Sequence, residues 1–111
     1  TDETQSASTG SGKISFRAPY AITLTSVRAS VATAPTGAKI VIDINESGTS
    51  ILSTELSIDP NEETSTTAAT PPVISDPNLA DDAEISVDID QVGSGTAGAG
   101  LKVYLLGYRT G

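Results

Sequence analysis

Residues Ile85-Ser86-Val87-Asp88-Ile89-Asp90 alternate without interruption between β-branched aliphatic and small polar or acidic side chains. A period of two puts Ile85, Val87 and Ile89 on one face of an extended chain and Ser86, Asp88 and Asp90 on the other, the pattern of a half-buried strand. The same rhythm recurs on both sides of this stretch. Ile14 and Phe16 alternate with Lys13, Ser15 and Arg17; Tyr20, Ile22 and Leu24 alternate with Thr23 and Thr25; Val27, Ala29 and Val31 alternate with Arg28 and Ser30. Between Leu24 and Val27 the apolar phase slips by one, which predicts a bulge or a strand crossing between sheets. Further along, Ile40, Ile42 and Ile44 alternate with Val41, Asp43 and Asn45, and Leu52, Thr54, Leu56 and Ile58 form one run against Ser53, Glu55 and Ser57. Leu101, Val103 and Leu105 close the series against Lys102, Tyr104 and Leu106.

Turn chemistry separates the runs: Ala34-Pro35-Thr36-Gly37, Glu46-Ser47-Gly48, Asp59-Pro60-Asn61-Glu62, Thr70-Pro71-Pro72 and Asp76-Pro77-Asn78. Every proline falls between runs, as a ladder that needs each N–H requires. The expected fold is therefore an all-β, antiparallel β-sandwich of seven to eight strands. The eighth strand is expected around 63–70 or at Val73-Ile74, and 76–83 offers a short helical turn at most. Residues 1–12 contain no large apolar side chain and are expected to form a flexible N-terminal arm or linker, with one sandwich domain over 13–111. If the faces are assigned correctly, Val87→Asp should unfold the domain and Asp88→Ala should be nearly silent.

Composition narrows the chemistry. The 111 residues carry 14 acidic and 6 basic side chains, a net charge of −8, and include no His, Cys, Met or Trp. No disulfide forms, and neither a thiol nor an imidazole is available for zinc, haem or iron–sulfur ligation or for Ser-His-Asp and Cys-His nucleophiles. The acidic balance repels phosphate backbones and anionic lipid, so neither nucleic acid nor membrane is an expected partner. Apolar runs such as Ile40-Val41-Ile42 are far shorter than the roughly 20 residues of a membrane helix.

Candidate sites are few. Asp81, Asp82 and Glu84, with Asp88 and Asp90 beyond them, and Asp43 with Glu46, offer hard oxygen ligands that suit calcium. The spacing of a calcium loop is absent, however, and alternating acids on a strand serve equally as a solvated face that discourages edge pairing. Paired carboxylates also suit glycoside hydrolysis, but the aromatic lining of a sugar cleft is missing. The glycine-rich stretch from Gly93 to Gly100 lacks the Gly-Lys-Ser/Thr ending of a phosphate loop and is expected to be a flexible hairpin connection. Asn45-Glu46-Ser47 matches the glycosylation sequon. No catalytic residue, metal ligand or cofactor is assigned. The remaining candidates are Tyr104 and Tyr108, four apart on one strand face, with Lys102 beside them: a subunit or ligand contact, or packing against a neighbouring strand. Because Leu105 and Leu106 are adjacent, this strand carries apolar groups on both faces: it is either a central strand packed under a loop or part of a subunit interface, and the second predicts a symmetric oligomer.

Several stretches occur together in an order resembling a small β-sandwich module of tailed-bacteriophage virion proteins, of the tail-fibre, appendage or capsid-decoration type. They include Phe16-Arg17-Ala18-Pro19-Tyr20, Thr23-Leu24-Thr25-Ser26-Val27-Arg28-Ala29-Ser30-Val31, Ile42-Asp43-Ile44-Asn45-Glu46, Leu79-Ala80-Asp81-Asp82-Ala83-Glu84-Ile85 and Ala97-Gly98-Ala99-Gly100-Leu101-Lys102-Val103. The resemblance spans about 14–109. It implies a jelly-roll-like sandwich assembling as a homotrimer on the virion surface, made in the cytoplasm of the host bacterium. Its partners would be capsid or fibre subunits in a capsid-decorating (cement) protein, or host surface carbohydrate in a tail-fibre receptor-binding domain. It implies no catalytic residues.

Overall fold

A computed structural model describes residues 10–18 and 20–109 of the chain. Among the described residues ten strands follow one another, against the seven to eight expected: β1 (Gly10–Arg17), β2 (Ile22–Ser30), β3 (Ile40–Glu46), β4 (Thr49–Ser50), β5 (Leu52–Thr54), β6 (Leu56–Ile58), β7 (Val73–Ile74), β8 (Asn78–Leu79), β9 (Glu84–Gln91) and β10 (Lys102–Arg109). A single 3₁₀ turn, Ser65–Thr67, lies between β6 and β7. The expected antiparallel β-sandwich is what forms. One sheet runs β1-β9-β3-β4, with β6 also paired to β3; the other runs β10-β2-β8; β5 and β7 make a small separate pair. All the pairings are antiparallel.

The alternation seen in the sequence becomes burial. Ile85, Val87 and Ile89 of β9 and Ile40, Ile42 and Ile44 of β3 face inward from the large sheet, and Leu24, Val27 and Ala29 of β2 face them from the small one. Such aliphatic burial is the main favourable term in a fold of this kind, up to about 1.5–3 kcal/mol per large side chain. The phase slip between Leu24 and Val27 is a bulge. Leu106 pairs with Ser26 and Gly107 with Leu24, so Thr25 is the extra residue, and its hydroxyl donates to the Leu106 carbonyl at 3.2 Å. Gly107 opposite is needed because an added Cβ would collide with the Thr23 carbonyl oxygen. The β3–β4 hairpin closes through Ser47 and Gly48, both at positive φ (51° and 87°), the pairing typical of a two-residue turn.

Four local expectations change. The run from Leu52 to Ile58 is two strands: β5 pairs with β7 and β6 with β3, so the chain switches partners at Glu55. Of the two places expected for the eighth strand, Val73–Ile74 is β7, while residues 63–70 hold the 3₁₀ turn; the Thr64 side chain accepts from the Thr66 N–H, and Ser65 Oγ accepts from the Ala29 N–H at 2.9 Å, closing the edge of β2. Within 76–83 the structure holds the two-residue β8 and no helix. The glycine-rich stretch joins β9 of one sheet to β10 of the other, and bridges Thr33–Ala99 and Thr36–Thr96 pin it to the body. Strand β1 begins at Gly10, within the expected arm; the rest of that arm, residues 1–9, lies outside the described residues.

Candidate functional site

The outer face of the small sheet gathers the residues singled out from the sequence. Lys102, Tyr104, Leu106 and Tyr108 alternate along β10 and pair with Ser30, Arg28, Ser26 and Thr23 of β2. Directly paired residues project to the same side of a sheet, so Arg28 stands beside Tyr104. The bulge lies on β2 and leaves the alternation of β10 intact, which keeps both tyrosines in one row. Tyr104, Leu106 and Tyr108 are 46 %, 40 % and 57 % exposed, whereas Val103 and Leu105 on the opposite side are partly buried against the core. Both tyrosines thus lie half exposed on the outer face, beside Arg28 and Thr23 of the neighbouring strand.

Two open grooves adjoin this face. One, of about 390 Å³, is lined by Arg28, Thr64, Thr66, Tyr104 and Leu106 among others. The second, of about 560 Å³, lies across Arg28 and is bounded by Pro71, Pro72 and Val73. No carboxylate lines either groove. At the end of the sheet the Arg109 guanidinium sits 4.9 Å from the centroid of the Tyr20 ring, within cation–π range. Such a surface can do two things: cover apolar and aromatic area with a partner, and pair cations with an acidic group on it.

A separate cleft of about 320 Å³ opens between the sheets and is lined by Phe16, Ala18, Ile22, Leu24, Leu79, Val87, Val103 and Leu105. Its lining offers no polar side chain to orient a ligand.

The carboxylates group differently from the sequence expectation. Asp81 and Asp82 are exposed on a turn; Asp82 adopts a positive φ of 61°, its N–H donates to the Ala18 carbonyl at 2.9 Å, and its carbonyl accepts from Arg17 at 3.1 Å. Glu84 pairs across the strands with Arg17, and the Glu46 carboxylate accepts from the Ala80 N–H at 2.8 Å. Among the described residues, Asp43, Glu55 and Asp90 are the acids whose oxygens converge, within 4.8 Å of one another. Asp90 reaches the group because it is the bulged residue of β9: Ile89 pairs with Ile42 and Gln91 with Val41. Glu55 arrives at the break between β5 and β6. Asp43 Oδ1 accepts from Ser50 Oγ at 2.5 Å and from the Ile44 N–H at 2.9 Å.

Glu55 Oε2 is buried without a hydrogen-bond partner. A hydrogen bond to the Asp90 side chain, then burial, then the charges of Asp90 and Asp43, raise the Glu55 pKa from 4.5 to about 7, with Lys39 opposing. Glu55 thus keeps its proton closer to neutrality than an ordinary carboxyl, and the three residues together are the ones that could ligate a hard cation. Glu55 was not visible as a member from sequence; its only signal was an acid in an otherwise Ser/Thr outer row.

Comparison with protein-family models, with curated proteins and with solved structures returns no match to this chain.

Proposed function

We propose that the chain is a non-enzymatic structural protein of a bacteriophage virion, a capsid-decorating surface protein that packs on other virion subunits through the outer face of the β10-β2 sheet. The observation that carries the contact surface is the exposed row Tyr104, Leu106 and Tyr108 flanked by Lys102 and Arg28. Contiguous aromatic and aliphatic side chains on an otherwise polar, strongly acidic chain are a docking surface in composition, and Tyr and Arg are the residues that most often anchor one. The virion assignment rests on the ordered resemblance over 14–109, which also supplies the homotrimer and the jelly-roll-like organisation.

The grooves beside Tyr104 and Arg28 favour one second reading, a tail-fibre domain that stacks host surface carbohydrate on the tyrosines. One experiment separates the two. The intact chain and a Tyr104→Ser/Leu106→Ser variant are sedimented with capsids of the encoding phage, and passed over surface polysaccharide of its host. The capsid reading expects the wild type in the capsid pellet and the folded variant in the supernatant. Retention on polysaccharide with no capsid binding overturns it in favour of the fibre. Binding to neither overturns both.

A further inference from the structure

The two outer faces of the sandwich carry opposite charge. On the large sheet, Asp43 of β3 and Asp88 of β9 stand directly opposite each other, Glu84 extends the row along β9, and Asp90 stands beside Asp43 at the bulge. Glu55 adjoins it. Among the described side chains, the cations of that region are Arg17, paired across from Glu84, and Lys39, near the carboxylate trio. On the small sheet, Arg28 and Lys102 are the charged side chains that alternate outward with the tyrosines. The acids next to this face are Glu62 and Glu63, ahead of the 3₁₀ turn: the Glu63 carbonyl accepts from the Val31 N–H at 2.9 Å at the end of β2, Glu62 accepts from the Thr67 hydroxyl, and neither lines a groove.

A chain of net charge −8 repels its own copies at a distance. At contact, two large sheets would meet acid to acid and two small sheets cation to cation. Front to back is the face pairing in which opposite charges meet. We propose that the Arg28–Lys102–Tyr104 face of one copy docks on the acidic β3–β9 face of a second copy. This rests on the reading of the β10-β2 face as an assembly surface and names its partner. Such a contact is heterologous and, joining opposite faces of one sandwich, it stacks copies openly, separately from the trimer that the resemblance implies.

The size of the face sets the strength. Strands of about eight residues, three abreast, cover at most roughly 400 Å², about half of the ~800 Å² per partner of a standard interface. The single contact is therefore weak and sensitive to salt.

Sedimentation equilibrium from about 10 to 500 µM tests it. We expect concentration-dependent association that weakens about tenfold or more between 50 and 500 mM NaCl. Arg28→Glu/Lys102→Glu and Glu84→Lys/Asp90→Lys, each checked for fold by circular dichroism, should both lose this association when alone. Mixed, they should associate again in equal amounts, because each supplies the face the other has lost. Asp90→Lys alone replaces the second variant if the double change does not fold. A monomeric wild type at 500 µM, self-association of either variant at wild-type strength, or no recovery on mixing each overturns the proposal. Capsid binding by a monomeric wild type would overturn the front-to-back contact while leaving the decoration reading in place.

Discussion

Replacing Glu55 by glutamine should make the protein more stable at pH 8 and flatten its response to pH. In the folded chain the Glu55 pKa is raised from 4.5 to about 7, first by the hydrogen bond to Asp90 and then by burial. The folded state therefore binds the proton more tightly than the unfolded state, and between about pH 4.5 and 7 it carries more protons. Stability falls as pH rises through that window, the reverse of a salt-bridged carboxylate. A full shift of this size corresponds to about 3.4 kcal/mol at 1.36 kcal/mol per unit. Water reaches Asp90, which is exposed, and screens much of the repulsion, so about 1–2 kcal/mol is the expected effect. The glutamine amide would keep the shape of the side chain and donate to Asp90 without ionising. Urea unfolding of both proteins at pH 5 and pH 8, at one salt concentration, measures this. The wild type should lose about 1–2 kcal/mol more than Glu55→Gln over that interval. Parallel losses, or a variant less stable than the wild type at pH 8, would refute the shared-proton account of the trio.

Substitutions at three further positions test the packing. Val87 is 3 % exposed and lies between β1 and β3, paired with Ile14 and Ile44, so Val87→Asp should cost more than about 4 kcal/mol and abolish cooperative unfolding. Asp88→Ala should not be silent, contrary to the reading of Asp88 as a purely solvated acid. Its carboxylate accepts from Asn45 Nδ2 at 2.8 Å, and Asn45 is 8 % exposed. Stranding that amide costs about 1–3 kcal/mol, partly offset by removing the charge opposite Asp43; Asp88→Asn, which retains an acceptor, should be near neutral in the same urea titration. Gly107→Ala should destabilise by about 2–3 kcal/mol and speed amide exchange at the end of β10, since its Cβ would press on the Thr23 carbonyl; an unchanged unfolding midpoint would place the bulge elsewhere.

What could be read from the sequence is what burial writes into a strand locally. The inward faces of β3 and β9 were visible because their apolar alternation is unbroken, and the bulge at Thr25 because it shifts the apolar phase of its run. The division at Glu55 was not, because Leu52 and Leu56 keep the same phase while β5 and β6 take different partners, and partner choice is a non-local property. The 3₁₀ turn was hidden for a related reason: Ser65–Thr67 carries no apolar pattern and is held by Thr64 and by the backbone of Ala29 on β2. The carboxylate trio depends on both effects at once, a bulge that turns Asp90 out of its row and a strand break that brings Glu55 in. Tyr104 and Tyr108 were legible as one face. So was the division of β10 into Leu101, Val103 and Leu105 facing the core and Lys102, Tyr104 and Leu106 facing out; whether anything covers that outer face is not legible, since a partner leaves no local pattern.

Front-to-back docking ties the carboxylate trio to assembly. A cationic face arriving over Asp43, Asp90 and Glu55 favours the ionised form of Glu55, so association lowers its pKa and releases a proton near pH 7. By linkage, raising the pH must then strengthen association while it weakens the isolated fold. The wild type should associate more tightly at pH 8 than at pH 6, and Glu55→Gln should lose that difference while still associating through Asp43, Asp88 and Glu84. Sedimentation at the two pH values reads the effect directly, at a salt concentration low enough to leave the contact unscreened. Association that is stronger at pH 6 would mean that the docking face lies away from the trio. The acids whose mutual repulsion burdens the single chain would then have no part in holding two chains together.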